Sequence, residues 1–202
     1  MKRAFDIIMS FLGLVILSPF FIIFSLLVLF SGKGGIFFSQ TRVGQYGKDF
    51  LLYKFRSMRP NAEKSGQLTI GSRDPRVTRT GYFLRRTKMD ELPQLFNVLM
   101  GDMSFVGPRP EVRKYVDLYT KEQQKVLLVR PGITDKASLE YFEESDLLAA
   151  SNDPEATYIK DIMPKKLSIN LKYLENKGLL SDMGIILRTL GRVLGLSRPG
   201  SA

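Results

Sequence analysis

The longest uncharged apolar run of the chain lies near its N-terminus, from Phe11 to Phe30. Its length is close to that of a helix that crosses a bilayer. Ser18-Pro19 lies near its middle, where the missing backbone donor of proline favours a break. The pattern therefore predicts a membrane helix that is broken at Ser18-Pro19. Asp6, three residues after Arg3, is expected to pair with it at the membrane surface.

Positive charges flank this run on both sides, with Lys2 and Arg3 before it and Lys33, Arg42 and Lys48 after it. Lysine and arginine tend to remain on the cytoplasmic side of a membrane. A kinked spanning helix would place only one end on that side, whereas a helix that enters and leaves by the same face would place both ends there. The residues alone leave these two arrangements open.

Short strands and a long loop follow the apolar run. Residues 36–59 have the alternation of short strands, with a glycine-containing turn at residues 43–47. Two interpretations are open for Lys54 in these strands. Its side chain either lies on a solvated basic edge of a strand or points toward a bound phosphate. Residues 60–80 are polar and rich in turn-forming residues, which predicts a loop over a site.

A helix is predicted after this loop. Thr87 followed by Asp90 resembles a capping box, and Gly101 is expected to end the helix. Apolar residues recur at helical spacing, namely Leu92, Leu95, Phe96 and Leu99. Asp90 and Glu91 would then lie in the first turn, where free N–H groups favour negative charge. Most acidic residues in such a position serve only as caps.

The second half of the chain is predicted to be helical in shorter pieces. Residues 111–129 have the pattern of two helices, the second with a capping box formed by Thr120 and Gln123, and a turn follows at residues 130–132. Residues 137–166 are acidic and irregular.

A C-terminal helix is predicted from residues that share one apolar face: Leu179, Met183, Ile186, Leu187, Leu190 and Leu194. Asp182, Arg188 and Arg192 are expected on its opposite face. The helix either docks on the core or lies at a membrane surface. Together these elements predict an α+β fold that is mostly helical, with a small β element and amphipathic interfacial helices.

Composition narrows the chemistry that this chain can perform. Its 202 residues include no cysteine and no histidine, which excludes thiol and imidazole nucleophiles and Cys/His zinc sites. The net charge of +10 is concentrated at residues 42–88, which hold twelve Lys/Arg and three acids, whereas residues 135–155 hold seven acids and one lysine. A basic half of this kind favours a polyanionic partner, such as a phosphorylated substrate, anionic lipid or nucleic acid.

The strongest candidate for a site lies between residues 85 and 110. Three cations come first: Arg85, Arg86 and Lys88. The acidic pair Asp90-Glu91 follows, and Arg109 stands between two prolines. A carboxylate pair beside several cations and a rigidly held arginine suits a bound phosphate and a divalent metal ion.

Longer strings in this region identify a family. TKMDELPQLFNVLMGDMSFVGPRP, with DPRVTRTGYFLRRT and YKFRSM upstream and VRPGIT downstream, resembles the signature of the bacterial sugar transferases, the monotopic phosphoglycosyl transferases. The resemblance covers most of residues 1–134. It implies the transfer of a sugar-1-phosphate from a UDP-sugar to polyprenyl phosphate, with UMP as the second product and Mg²⁺ as the cofactor.

The resemblance also implies roles for individual residues. Asp90 would be the nucleophile that forms an aspartyl phosphosugar intermediate, and Glu91 would hold Mg²⁺. The planar fork of arginine suits diphosphate oxygens. The candidates for phosphate binding are Arg85, Arg109, Lys54 and Arg130.

The organisation implied by the resemblance has two parts. Residues 1–31 would form a re-entrant membrane helix broken at Ser18-Pro19, and residues 32–202 a catalytic domain on the cytosolic face of the cytoplasmic membrane, in contact with membrane lipid. After Thr134 the chain departs from the commoner pattern of the family, because Asp135-Lys136-Ala137 stands where many members have Gly-Trp-Ala. This departure leaves the identity of the sugar open.

The alternative hypothesis is a membrane-anchored protein that binds polyanions without catalysis. The basic stretch and the apolar run fit it, but it does not explain an Asp-Glu pair beside arginines. Nucleic acid is not expected as a partner, because the sequence lacks an interleaved aromatic platform beyond Tyr53 and Phe55. The sequence is compatible with a homodimer and does not decide the oligomeric state.

Overall fold

The computed structural model describes residues 2–62, 66, 68–71 and 74–196. The predicted loop at residues 60–80 therefore falls partly outside the described residues. The α-helices are α1 (Lys2–Ile16), α2 (Ser18–Leu29), α3 (Arg79–Arg86), α4 (Gln94–Met100), α5 (Arg113–Val116), α6 (Lys136–Glu140), α7 (Glu144–Ala149), α8 (Pro154–Thr157), α9 (Met163–Glu175) and α10 (Leu179–Val193). The strands are β1 (Phe37–Val43), β2 (Asp49–Phe55), β3 (Ser104–Val106) and β4 (Gly132–Thr134). The predicted α+β class, mostly helical, is confirmed.

The apolar run forms two helices that are bent by 62° at Ser18-Pro19, so the predicted break is confirmed. Pro19 lies in the first turn of α2, where a backbone N–H has no partner within the helix, so the missing N–H of proline costs no hydrogen bond. The Ser18 hydroxyl donates to Val15 O at 2.8 Å. Within the described residues, no single helix is long and apolar enough to cross a membrane, whereas α1 and α2 taken together are, by length and composition.

Helix α1 packs along α4. Arg3 donates to Val98 O at 2.6 Å and to Leu99 O at 2.9 Å, at the C-terminal end of α4 where a cation is favourable. Gly13 faces Leu95 so closely that a Cβ would lie 3.3 Å from Leu95 Cδ1. The first apolar helix thus belongs to the same packed unit as the helix that follows Asp90-Glu91.

The predicted pairing of Asp6 with Arg3 is wrong. Asp6 is buried and accepts hydrogen bonds from Ser104 Oγ at 3.1 Å and from Phe105 N at 3.2 Å. The physical reason is tertiary, because the fold brings β3 against α1 and gives this carboxylate two donors away from water.

Strands β1 and β2 form an antiparallel hairpin in which Phe37 pairs with Phe55 and Val43 with Asp49, as the alternation predicted. Arg56, which follows β2, is buried rather than solvated. Its Nη2 donates to Val28 O at 2.6 Å and to Gly32 O at 2.9 Å. The hairpin is thereby attached to the end of α2.

Strands β3 and β4 form a parallel pair, with Ser104 opposite Gly132 and Val106 opposite Thr134. The turn predicted at residues 130–132 is therefore partly wrong, because Gly132 is the first residue of a strand. A Cβ at Gly132 would lie 2.2 Å from Gly107 N, so only glycine allows this approach of the two backbones. The pairing fixes the start of the Pro108-Arg109-Pro110 segment.

The segments after β3 form the largest buried cluster, in which residues of α5 and α9 meet a 3₁₀ helix at Gln123–Leu128. The capping box predicted from Thr120 and Gln123 is confirmed. Thr120 N donates to Gln123 Oε1 at 2.9 Å, and Gln123 N donates to Thr120 Oγ1 at 3.2 Å.

Helix α10 docks on the core through Ile185 and Ile186, beside Tyr173 of α9. Its predicted polar face is wrong for Asp182, which is buried, accepts from Tyr173 Oη at 2.5 Å and pairs with Lys2 Nζ at 2.7 Å. Several leucines of the predicted apolar face remain exposed: Leu179, Leu187, Leu190 and Leu194.

Candidate functional site

The chain reverses direction at Lys88 to present the acidic pair. Lys88 has a left-handed backbone with φ of +57°, and Met89–Glu91 form one 3₁₀ turn after it. The capping box predicted from Thr87 is wrong. The Thr87 hydroxyl donates to Phe83 O at 2.9 Å and so closes α3 instead of opening a new helix.

Helix α4 begins only at Gln94, after Pro93, and ends at Gly101 with φ of +103°, as predicted for its end. Asp90 and Glu91 therefore lie in a separate turn and not in the first turn of α4. This turn buries both carboxylates, with 4% of Asp90 and 8% of Glu91 exposed. Burial of two acidic residues argues against a simple surface cap, because ionised carboxylates are rarely buried without partners.

Glu91 is the centre of a charge network. Its Oε1 accepts from Lys54 Nζ and from Arg109 Nη2, each at 2.8 Å. Lys54 comes from β2 and Arg109 from the segment after β3, so three distant parts of the chain meet at one carboxylate oxygen. The predicted proximity of Lys54 and Arg109 to the acidic pair is seen directly in these contacts.

Asp90 differs from its neighbour. Its Oδ1 is buried without a hydrogen-bond partner among the described residues. Burial raises the pKa of Asp90, the ammonium of Lys54 opposes this rise, and the charge of Glu91 adds to it. A carboxylate oxygen that makes no hydrogen bond keeps its lone pairs free for a new bond.

The pKa of Glu91 moves the other way. Burial alone would raise it, but the charges of Arg109, Lys54 and Lys88 outweigh burial and hold the pKa well below its usual range. In turn, the charge of Glu91 raises the pKa of Arg109. Burial lowers the pKa of Lys54, against the opposing effect of Glu91. Glu91 thus remains ionised and holds two cations in place beside Asp90.

A cavity of about 440 Å³ opens above Asp90 and Glu91. Its lining includes five cations: Lys54, Arg85, Arg86, Lys88 and Arg109. It also includes Phe142, Glu143, Ser145 and Asp146, near and within α7, and the Lys88 ammonium lies 5.3 Å from the centre of the Phe142 ring. The cavity shares Arg85, Arg109 and Thr69 with two adjoining hollows, of about 230 Å³ and about 490 Å³. The site therefore combines several cations with an aromatic ring, a hydroxyl group and carboxylates.

The loop before α3 shapes the cationic part of the lining through residues that sequence reasoning missed. Thr69 Oγ1 accepts from Arg85 Nη2 at 2.8 Å. Arg76 binds Asp74 and also donates to Gly66 O at 2.8 Å and Leu68 O at 2.5 Å. The polar sequence of the loop does not indicate that one of its arginines donates hydrogen bonds to several of its backbone carbonyl groups.

The same loop also contacts α7, which contributes Ser145 and Asp146 to the lining of the cavity. Gly71 N donates to Ser145 O at 2.8 Å. Gly71 has φ of +74°, and a Cβ there would lie 3.3 Å from Ala149 Cβ, so glycine suits both its conformation and its space. The described part of the loop thus contacts α7 and helps to close the cavity.

A family model described as bacterial sugar transferase matches residues 1–195. The chain belongs to the bacterial sugar transferase family. The family resemblance stated from the sequence motifs is therefore confirmed over nearly the whole chain.

Three relatives illustrate the range of this family. The UDP-N-acetylgalactosamine-undecaprenyl-phosphate N-acetylgalactosaminephosphotransferase of Aeromonas hydrophila is 36% identical over 96% of this chain and 43% of its own length. The UDP-glucose:undecaprenyl-phosphate glucose-1-phosphate transferase of Escherichia coli (strain K12) is 36% identical over 94% of this chain and 39% of its own length. The exopolysaccharide production protein ExoY of Sinorhizobium fredii is 34% identical over 95% of this chain and 84% of its own length. The chain thus spans less than half of two of these relatives and most of the third.

Arg130 does not join the other predicted phosphate ligands of this bacterial sugar transferase. Its Nε donates to Gly101 O at 2.7 Å, at the end of α4, and its side chain lines a different hollow. The parallel pairing of β3 with β4 carries this residue to the opposite end of α4 from Asp90. The structure therefore places Arg130 apart from Lys54, Arg85 and Arg109, and phosphate binding by Arg130 stays a prediction.

The fit of Mg²⁺ rests on Glu91. Within the described residues there is no group of three acidic side chains that could hold a metal ion alone. Mg²⁺ is commonly bound by one or two carboxylates together with substrate phosphates. Because Lys54 and Arg109 both bind Oε1 of Glu91, the other oxygen of that carboxylate is the one left for a metal. The donor set therefore fits Mg²⁺ that arrives with a diphosphate.

Proposed function

We propose that this chain transfers a sugar-1-phosphate from a UDP-sugar to an undecaprenyl-type polyprenyl phosphate, with release of UMP, as the first membrane step of glycoconjugate synthesis. The names of the relatives support this reaction class. The observation that carries it is the buried Asp90 with an unpaired oxygen, beside a Glu91 that holds Lys54 and Arg109. Phosphoryl transfer depends mainly on positioning and on neutralising charge, and this site provides groups for both.

Asp90 is the nucleophile in this proposal. Its carboxylate oxygen attacks the β-phosphorus of the UDP-sugar, and the bond from that phosphorus to the oxygen of the UMP group breaks. UMP leaves with the bonding electron pair, and the sugar phosphate remains on Asp90. An oxygen of polyprenyl phosphate then attacks the same phosphorus and displaces the Asp90 carboxylate. A base is not required for either attack, because each attacking group reacts in its anionic form and carries no proton to be removed.

The cationic part of the lining would bind the diphosphate during both steps. Arg85, Lys88 and Arg109 line the cavity with Asp90, and Thr69 fixes the direction of the Arg85 guanidinium. Cations held in place before the reaction stabilise charge that develops on phosphate oxygens. Glu91 would hold Mg²⁺, which supplies further charge neutralisation when bound with the diphosphate.

The part of the lining near and within α7 would contact the sugar. Ser145, Glu143 and Asp146 offer polar atoms of the kind that bind sugar hydroxyls. This assignment follows from charge, since a phosphate would be repelled by the carboxylates of Glu143 and Asp146.

We further propose that α1 and α2 form a re-entrant membrane helix and that the cavity lies on the cytosolic face of the membrane. The 62° bend and the positive charges at both ends support it. Ala4→Cys and Lys33→Cys, both at exposed positions of a cysteine-free chain, are expected to react with a polar thiol reagent from the cytosolic side only. Reaction of residue 4 from the outer side would show a spanning helix instead.

UMP release tests the proposed reaction. The purified chain is incubated with Mg²⁺, undecaprenyl phosphate and a panel of UDP-sugars, and at least one sugar is expected to give UMP and a lipid-linked sugar diphosphate. A polyanion-binding protein without catalysis would bind these compounds but release UMP no faster than the Asp90→Asn variant does. That outcome across the panel would contradict the proposed function.

A further inference from the structure

A second basic hollow, of about 260 Å³, lies beside the N-terminal end of α1. Its charged lining consists of Lys2, Arg3, Asp6, Arg130 and Lys177. The hollow shares none of its lining residues with the catalytic cavity. It is therefore separate in space from the cavity above Asp90 and Glu91.

Its cations exceed its anions. Lys2 pairs with Asp182 at 2.7 Å, and Asp6, the only carboxylate among the described lining residues, accepts from Ser104 and Phe105. The remaining three cations are Arg3, Arg130 and Lys177. Among the described residues, no carboxylate lies within ion-pair distance of any of them. Arg3 and Arg130 bind only backbone carbonyls at the end of α4. Uncompensated cations around one small hollow favour an anion there.

The hollow lies where the surface of α1 changes from polar to apolar. Lys2, Arg3 and Asp6 line it, and the exposed apolar side chains of α1 begin directly after them with Ile7 and Ile8, of which 40% and 58% are exposed. Leu128 also lines the hollow, with 59% of its surface exposed. With α1 placed in the membrane as proposed above, a basic pocket at this boundary would lie at the depth of lipid headgroups.

We propose that this hollow binds the phosphate ester of an anionic phospholipid headgroup. Arg130 and Lys177 would donate to the phosphate oxygens, and Leu128 and Leu174 would contact the apolar part of the glycerol backbone. The inference rests on the proposed membrane placement of α1 but not on the transfer reaction. Cysteine labelling at residues 4 and 33 tests the placement separately from the preference for a class of lipid.

Native mass spectrometry of the detergent-purified full chain tests this inference. Phosphatidylglycerol is expected to remain bound in preference to phosphatidylcholine at equal concentration. Lys177→Gln and Arg130→Gln should each reduce that preference by about tenfold, the effect of losing one charge-assisted hydrogen bond. Lys121→Gln and Lys165→Gln remove exposed charges outside the hollow and should leave the preference unchanged.

Two comparisons keep the result interpretable. Lys177 makes no hydrogen bond or ion pair with a described residue, so its substitution should leave the melting temperature unchanged even if Arg130→Gln lowers it. Inorganic phosphate, added in large excess, should not displace phosphatidylglycerol if the ligand is a lipid. Equal binding of the two lipids by the native chain, an undiminished preference in Lys177→Gln, or displacement by inorganic phosphate would each overturn the proposal.

Discussion

Asp90 and Glu91 are neighbours in one 3₁₀ turn, yet their surroundings move their pKa values in opposite directions. Burial raises the pKa of Asp90, whereas Arg109, Lys54 and Lys88 hold the pKa of Glu91 well below its usual range despite burial. Two carboxylates with separated pKa values are suited to different tasks. On acidification, Asp90 is protonated first while Glu91 is still ionised.

The pH dependence of UMP release should report this difference. A nucleophilic carboxylate must be ionised, so the rate is expected to fall on acidification at a pH above the ordinary pKa of an aspartate. Lys54 lowers the pKa of Asp90, so Lys54→Gln should move this acidic limb to still higher pH. Lys48→Gln, at an exposed position, is the control and should not move it. An unchanged limb in Lys54→Gln would show that another group controls the rate.

Asp90→Asn is expected to remove activity and to stabilise the fold. Because the folded-state pKa of Asp90 is raised, the favourable contribution of its protonated form is lost as pH rises through that pKa, and the ionised form is unfavourable at pH 7. A neutral amide removes this penalty, so the melting temperature should rise at pH 7 and the gain should shrink at acidic pH. Activity should fall about a thousandfold or more, as when a nucleophile is removed.

The same variant tests the covalent step. Incubated with its UDP-sugar and no lipid acceptor, the native chain should release about one UMP per site and gain the mass of a sugar phosphate on the peptide that contains Asp90. Asp90→Asn should do neither. An unchanged intact mass together with ternary-complex kinetics would rule out the intermediate while leaving the reaction class intact.

Glu91→Gln is expected to lose about a hundredfold in activity, since it removes the charge that orients Lys54 and Arg109 and the carboxylate offered to Mg²⁺. A chelator should abolish the native activity, and added Mg²⁺ should restore it. In the variant, the Mg²⁺ concentration for half-maximal rate should rise. Full activity of the native chain in excess chelator would exclude a role for the metal.

Two glycines in helices should respond in opposite ways to alanine. A Cβ at Gly81 in α3 would lie 1.8 Å from Ser57 O, so Gly81→Ala must displace the helix that carries Arg85 and should lower both stability and activity. A Cβ at Gly184 in α10 has nothing within 4 Å, so Gly184→Ala should stabilise the fold by about 0.5–1 kcal/mol. Urea denaturation of the two variants measures both effects.

Local signals in the sequence predicted much of this fold. The break at Ser18-Pro19, the end of α4 at Gly101 and the Thr120–Gln123 capping box each depend on residues that are close in the chain. The proximity of Lys54 and Arg109 to the acidic pair was also predicted, because cations and carboxylates together suit a bound phosphate and a metal ion.

The features that were missed depend on distant contacts. Strands β3 and β4 have three residues each and are joined by a long connection, so neither has a recognisable alternation. Their pairing is what takes Arg130 away from the site. The left-handed Lys88 and the loop contacts of Arg76 are likewise set by tertiary packing, because lysine and arginine have no local preference for these roles.

The packing of α1 along α4 has a practical consequence for handling this enzyme. Deleting residues 1–31 would remove the donors that Val98 and Leu99 use, leave Ser104 without its carboxylate partner and expose Leu95. Helices α1 and α2 therefore cannot be removed without damage to the rest of the fold. Trimming them to obtain a water-soluble fragment would uncover the inner side of α4, the helix that follows Asp90 and Glu91. Crystallisation and inhibitor screening should use the full chain in detergent or lipid discs.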